Sequence, residues 1–357
     1  MIRIDQAGYP VWVGRGLVDA IGPLLPPGRL FLVTDEQVRR AGWPGRIEAQ
    51  AGDRLVGCYV LPPGEENKTF GQLERLLDAM LDAGVQRGDH VVAVGGGMVG
   101  DVAGFAAAVL KRGCGFVTVP TTLLAQADSA IGGKTAINTR QGKNLIGAFH
   151  RPAAVVIDVA TLETLPEREL RAGYAEVVKY GLIGDPAFFA WCERHAVALI
   201  SGDAGARLHA VETSVRAKAA IVAEDERDIT GKRALLNFGH SFAHAIEAES
   251  GMPHGEAVAL GMALAFRLSA ERGLCPQADA GRVADHLKGV GLPTRLDGIE
   301  ARALVARMAH DKKRQGAGLR LVLVRGIGEA FVGDSVEPAE VEAFLEREAG
   351  SAGVAVG

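Results

Sequence analysis

The chain has 357 residues, 48% hydrophobic and 23% charged, with a formal charge of −4. That is the balance of an ordinary globular protein with one or two cores, and it argues against nucleic acid as the main partner. The start, Met1 to Pro10, carries an Arg and an Asp and no long apolar core, and the longest apolar run, Ala257 to Phe266, is too short to cross a bilayer. Neither a signal peptide nor a membrane span is therefore expected. Cys58, Cys114, Cys192 and Cys275 lie far apart with no Cys-x-x-Cys pair, which fits inert thiols in a reducing cytoplasm.

In chain order, Leu30–Thr34, Leu55–Val60, His90–Val94, Phe116–Val119 and Ala154–Ile157 read as buried strands rich in β-branched residues. Between them, Leu73, Leu76, Leu77 and Met80 fall at helical spacing within 70–83. Alternation of this kind predicts an open, mostly parallel sheet flanked by helices, a Rossmann-like α/β domain over residues 1–159. Beyond Val159 long helical stretches dominate, at Glu167–Leu182, Ala206–Glu224, Leu236–Glu249 and Glu256–Glu271, with breaks at Pro152, Pro166, Pro186 and Pro253. They predict a mainly α-helical domain over residues 160–357, ending in a frayed Gly/Ala tail, with the cleft between the domains as the default site.

The strand ending at Val94 runs into Gly95-Gly96-Gly97-Met98-Val99-Gly100-Asp101 and then a helix. Glycines spaced G-x-G-x-x-G let backbone N–H groups approach a pyrophosphate at a helix N-terminus. The loop departs from the usual dinucleotide fingerprint, because it follows the third strand and has no acid about 20 residues further on. Asp35, at the end of the first strand, can serve a ribose or cap the next helix, and spacing leaves both readings open.

His240 and His244 share one helical face, and His254 follows a short break. Upstream, Glu176 and Lys179 share a face of another predicted helix. Three of the nine histidines within fifteen residues, with one carboxylate, suit a catalytic zinc-type centre with an open position. Lys134 in Gly132-Gly133-Lys134-Thr135, Lys143 in Gly142-Lys143-Asn144 and Lys312-Lys313 after Asp311 sit beside glycines or polar residues. Jointly they suggest a substrate carrying phosphate or carboxylate.

The ordered segments Pro63–Lys68, Gly95–Asp101, Pro120–Ser129, Gly132–Lys134, Gly142–Gly147, Arg171–Tyr180, Arg233–His240, His254–Val258 and Asp311–Lys313 resemble the 3-dehydroquinate synthases of the sugar phosphate cyclase superfamily. The resemblance runs over nearly the whole chain. It implies a carbon–oxygen lyase of the shikimate pathway, leading to chorismate and aromatic amino acids. The substrate would be 3-deoxy-D-arabino-heptulosonate 7-phosphate: NAD oxidises a hydroxyl, phosphate is eliminated, the ketone is reduced again, and the opened ring closes by an aldol step.

The same resemblance implies Glu176, His240 and His254 as ligands of a divalent metal (zinc, with cobalt as the alternative) and His244 in the site without ligating. It assigns Asp35, Glu66, Lys68, Gly97, Asp101, Thr121, Thr122, Lys134, Lys143, Thr161 and Thr164 to NAD. Asp128, Lys134, Lys143, Asn144, Lys179, Lys218, Arg233, Asn237, His244 and Lys312 would serve the substrate, and Arg112 would reach the phosphate of the neighbouring subunit in a homodimer. Three positions depart from the family pattern: Ala130 replaces a second Ser, the link from His244 to His254 is short, and Ile229-Thr230-Gly231-Lys232 replaces a shorter turn. The competing readings are a sibling cyclase acting on another sugar phosphate, an iron-dependent or glycerol-type dehydrogenase, and a catalytically dead NAD or sugar-phosphate sensor.

Overall fold

The computed structural model describes residues 1–6, 8–225, 231–311 and 318–350. The expected contacts of Lys312, the turn at 229–230 and the tail from 351 lie outside the described residues. The chain forms two compact units, one made of residues 1–170 with 201–223 and the other of 171–200 with 224–357. Set beside the expected division at 159/160, the first unit continues to Leu170 and takes in most of a helix far along the chain.

The first unit is built on a seven-stranded sheet. Its strands are β1 (Ile2–Gln6), β2 (Tyr9–Gly14), β3 (Leu30–Asp35), β4 (Leu55–Leu61), β5 (His90–Gly95), β6 (Gly115–Pro120) and β9 (Ala154–Asp158), in the order β1-β2-β9-β6-β5-β3-β4. All neighbours pair in parallel except the β1–β2 hairpin. Alternate residues of β3 explain why its sequence is apolar throughout. Leu30 and Leu32 enter one core with Trp43 and Ile47, while Phe31 and Val33 enter another with Leu73, Leu76 and Phe105. The helices that cover the sheet are α1 (Glu36–Arg40), α2 (Trp43–Ala51), α3 (Phe70–Asp82) and α4 (Gly97–Val109).

Two further strands, β7 (Lys134–Thr139) and β8 (Gly142–Phe149), form a separate antiparallel hairpin whose Ile137 joins the core beneath α4. Lys134 and Lys143 thus belong to strands, whereas their glycine-rich surroundings suggested loops. The chain order of β3, β4 and β5 also accounts for the place of the glycine loop. From β3 the sheet grows outward through β4 on one side and through β5 on the other, so the order reverses between β3 and β5. Ligands of open α/β sheets bind at the carboxyl ends of strands at such a reversal.

Helices dominate the second unit. The chain runs through α5 (Glu167–Gly184, which enters the unit at Arg171) and α6 (Pro186–Ile200), leaves it for α7 (Ala204–Glu224), and returns through α8 (His240–Ser250), α9 (His254–Glu271), α10 (Gln277–Gly289), α11 (Ala301–Asp311) and α12 (Pro338–Gly350). A small hairpin, β10 (Val322–Val324) with β11 (Ala330–Val332), completes it. The helix expected from Leu236 starts at His240 instead. Residues 232–237 form a 3₁₀ turn, and Gly239 at φ +79° breaks the α-helical hydrogen bonding before His240. No described helix is long and apolar enough to cross a membrane.

Candidate active site

The residues expected to serve NAD all lie in the first unit, and most follow the C-terminal ends of its parallel strands. Asp35 closes β3, Glu66 and Lys68 lie in or beside the turn after β4, Gly97 and Asp101 open α4 after β5, Thr121 and Thr122 follow β6, and Thr161 and Thr164 follow β9. Asp35 does cap α1, since its Oδ1 accepts from the N–H groups of Gln37 and Val38 at 2.8 and 2.9 Å. Both bonds use one oxygen, so capping leaves the other carboxylate oxygen for a ribose.

α4 begins at Gly97 with no side-chain cap, so its first-turn N–H groups and the positive end of its dipole are available to an anion. A Cβ at Gly97 would stand 3.0 Å from Ser129 Oγ, and one at Gly96 3.1 Å from Thr122 Cγ2. Backbone, not side chain, therefore lines this turn, as a pyrophosphate cradle requires.

Asp101 receives the Lys68 ammonium at 2.5 Å, and Lys68 also donates to Asn144 Oδ1. Burial pushes the Asp101 carboxyl up, against the pull of Lys68. Asn144 reaches this contact from the left-handed region, at φ +57°. Thr161 and Thr164 are engaged in fixing their turn: Thr161 donates to the Asp158 carbonyl at 2.8 Å, and Thr164 accepts from Trp43 Nε1 at 2.8 Å. Asp128 sits in a π-turn, Ala125–Ser129, where Lys218 of α7 grips both its backbone and carboxylate oxygens at 2.8 Å. Arg112 lies just beyond α4 at φ +69°, following Lys111 at +49°.

In the second unit the structure brings Glu176, His240 and His254 together, with one ligand atom from each within 4.8 Å of the others. The Nε2 atoms of His240 and His254 each stand 3.5 Å from Glu176 Oε1. The far ring nitrogens are already committed. His240 Nδ1 donates to the Phe238 carbonyl at 3.1 Å, and His254 Nδ1 to Glu247 Oε1 at 3.0 Å. With Nδ1 held as the donor, each Nε2 faces the shared point, and the neutral ring would offer its lone pair there, the tautomer a metal ligand needs.

Glu176 is fully buried, and its Oε2 lies 2.5 Å from Lys179 Nζ, an ion pair by distance whose angle falls short of a hydrogen bond. Burial works to raise the Glu176 carboxyl, but Lys179 and the two imidazoles outweigh it and hold it well below the usual range. Two imidazole nitrogens and a carboxylate oxygen converging on one point fit a divalent cation such as zinc. His244 lies beside this set, its ring 5.6 Å from that of His240 and 6.5 Å from that of His254.

Two glycines make the convergence possible. A Cβ at Gly255 would overlap the carbonyl oxygen of Ala172 on α5, and one at Gly239 would lie 2.9 Å from the Val258 carbonyl oxygen of α9. The helix starts carrying His254 and His240 can therefore press against their neighbours. The short link between α8 and α9, residues 251–253, is long enough to bring His240 and His254 to one point. Sequence reasoning missed Glu247, one turn from His244 on α8, and Asn138 in β7. The only sequence signal for Glu247 is an acid three residues beyond His244 on the same predicted helix. Arg233 is buried in the 3₁₀ turn with its N–H 3.4 Å from Asp225 Oδ2, and Asn237 closes that turn.

Residues 58–172 match the model of the 3-dehydroquinate synthase N-terminal domain, and residues 173–314 that of its C-terminal domain. A 3-dehydroquinate synthase of Zymomonas mobilis is 49% identical over 97% of this chain and 94% of its own length. The chain belongs to the 3-dehydroquinate synthase family. Its fold is shared with related cyclases. The valiolone synthase ValA of Streptomyces hygroscopicus, solved with NAD+ and Zn2+ bound, superposes with a TM-score of 0.87 at 30% identity, covering 97% of this chain and 98% of that one. A 2-deoxy-scyllo-inosose synthase complexed with carbaglucose-6-phosphate, NAD+ and Co2+ gives 0.85 at 25% identity, covering 97% and 99%. The 3-dehydroquinate synthase pattern therefore spans both units, from the glycine turn to the Glu-His-His set.

Proposed function

We propose that the chain is a 3-dehydroquinate synthase, a carbon–oxygen lyase converting 3-deoxy-D-arabino-heptulosonate 7-phosphate to 3-dehydroquinate and phosphate in the shikimate pathway. The observation that carries this reading is the Glu176–His240–His254 set with both Nδ1 atoms locked, in a chain half identical to a synthase of that name. Glu176, His240 and His254 would hold zinc or cobalt, the ions in the related cyclases, and His244 would contact the substrate beside them.

Asp35, Glu66, Lys68, Gly97, Asp101, Thr121, Thr122, Lys134, Lys143, Thr161 and Thr164 would bind NAD. Bound NAD supplies a hydride acceptor that is restored each turnover, and the bound cation makes the substrate hydroxyl more acidic. Asp128, Lys134, Lys143, Asn144, Lys179, Lys218, Arg233 and Asn237 would orient the sugar acid, their cations neutralising its carboxylate and the departing phosphate dianion. Lys312 would join them, and Arg112 would reach the phosphate held by a second copy in a cytoplasmic homodimer.

The test is phosphate release from 3-deoxy-D-arabino-heptulosonate 7-phosphate with and without zinc and a catalytic amount of NAD, with product followed by NMR. Metal-dependent release with dehydroquinate formed and no net NADH is expected. Release only from sedoheptulose 7-phosphate or glucose 6-phosphate would instead make the chain a sibling cyclase. Net NADH without phosphate release would make it a dehydrogenase.

A further inference from the structure

We propose that Asn138, outside both the NAD and the substrate sets, is a positioning residue that holds Asn144 and Lys68 in working geometry. The proposal rests on the function above, in which those side chains meet the sugar acid and NAD. β7 and β8 pair regularly from Lys134↔Phe149 to Ile137↔Ile146 and then slip, so that Thr139 opposes Gly142 and Asn138 drops out of the ladder. The extra residues bulge from β8, where Lys143 to Leu145 stand opposite Asn138 alone, and the interrupted ladder leaves Asn138 to bond elsewhere.

Asn138 does so with each of its polar groups but its own carbonyl. Its N–H donates to the Lys68 carbonyl at 2.7 Å, its Oδ1 accepts from the Asn144 N–H at 3.0 Å, and its Nδ2 donates to Glu65 Oε1 at 2.8 Å. The pattern fixes the amide's orientation, because a backbone N–H can only donate and a carboxylate can only accept. Asn138 thus binds the main chain of both Lys68 and Asn144, whose side chains then meet, with Lys68 Nζ donating to Asn144 Oδ1 and Asp101 Oδ2.

The bond to Asn144 N–H also bears on backbone conformation. Asn144 stands at φ +57°, a region non-glycine residues enter only when something holds them there. Without Asn138 Oδ1, relaxation of Asn144 would swing its amide away from Lys68. Asn138→Ala removes the side-chain bonds to both Asn144 and Glu65. Asn138→Asp keeps the acceptor for Asn144 but sets a carboxylate against Glu65. Pairing Asn138→Asp with Glu65→Gln restores a donor–acceptor pair with its sense reversed.

Steady-state kinetics of the metal-loaded enzyme, the NAD dissociation constant and thermal melting would be measured for these variants. In Asn138→Ala and Asn138→Asp, KM for the sugar phosphate and the dissociation constant for NAD should rise about tenfold, as expected for the loss of one or two hydrogen bonds, with kcat within about threefold. The double variant should recover most of that rise. An unchanged KM and NAD affinity in Asn138→Ala, a double variant no better than Asn138→Asp, or a loss confined to melting temperature would each overturn the proposal. A wild type that turned over no sugar phosphate would sink the assigned function instead. The NAD affinity and the exchange rate of the Asn144 amide, slow in wild type and fast in Asn138→Ala, would still decide whether the clamp exists.

Discussion

His254 carries the proton balance of the proposed metal centre. Burial lowers its pKa, but hydrogen bonds to Glu176 and Glu247 and the charge of both carboxylates outweigh burial and raise it to about 9. In metal-free protein a proton therefore stands where the cation would bind. Because the folded value lies above the unfolded one near 6.5, this proton stabilises the fold fully below that pH. The contribution is lost as pH rises through about 9. With the side chain 35% exposed and solvent-screened, the effect is on the order of 1 to 2 kcal/mol. Urea unfolding of chelated protein should show stability falling across that window, and a flat profile would contradict the assigned protonation. Zinc must displace the proton, so calorimetry at pH 7.5 in buffers of different ionisation enthalpy should find about one proton released. Glu247→Ala removes the acceptor for Nδ1 and should weaken zinc binding about 10- to 100-fold against a competing chelator, while Glu247→Gln, which keeps an acceptor oxygen, should lose less.

At the scale of elements, the proposed metal centre depends on how closely α9 can approach α5. Gly255→Ala would drive a methyl group into the Ala172 carbonyl and lift the start of α9, carrying His254 away from Glu176. Zinc affinity should fall at least about tenfold, with helix content by circular dichroism little changed, since metal affinity depends on ligand placement. Wild-type affinity in this variant would show that the close approach does not position the ligand.

The parallel strands were legible because burial on both faces leaves an uninterrupted apolar run, as in Phe31 to Val33. The β7–β8 hairpin was not, because β8 is exposed along nearly its whole length and the lysines and glycines of the hairpin imitate a loop. The start of α8 was misplaced for a related reason: apolar spacing continues from Leu236 through a 3₁₀ turn, and only the positive φ of Gly239 marks the break. The histidines and Glu176 stood out by residue type and spacing. Glu247 and Asn138 did not, since each acts on a ligand or site residue through packing that local sequence leaves unspecified.

The proposed site residues divide between the two compact units. The residues assigned to NAD all fall within 1–170, whereas Glu176, His240 and His254 all fall in the other unit. Each set is carried by its own unit: the first mostly by the ends of the sheet's strands, the second by α5, α8 and α9. Disabling the metal centre should therefore leave the nucleotide site standing. Glu176→Gln preserves shape but replaces an anionic oxygen with a neutral amide, and it leaves Lys179 buried without its carboxylate. Breaking a buried pair this way destabilises by about 3 to 5 kcal/mol, so a lower melting temperature is expected as well. His240→Ala removes a ligand without uncovering that lysine, and separates the loss of metal from the loss of stability. Both variants should lose zinc and turnover while binding NAD with a dissociation constant within about threefold of wild type, the scatter expected for independent sites. If His240→Ala kept full activity without metal, His240 would not be a ligand. If both variants lost NAD binding while still folded, the two units would be coupled, and the nucleotide would be held by groups from both.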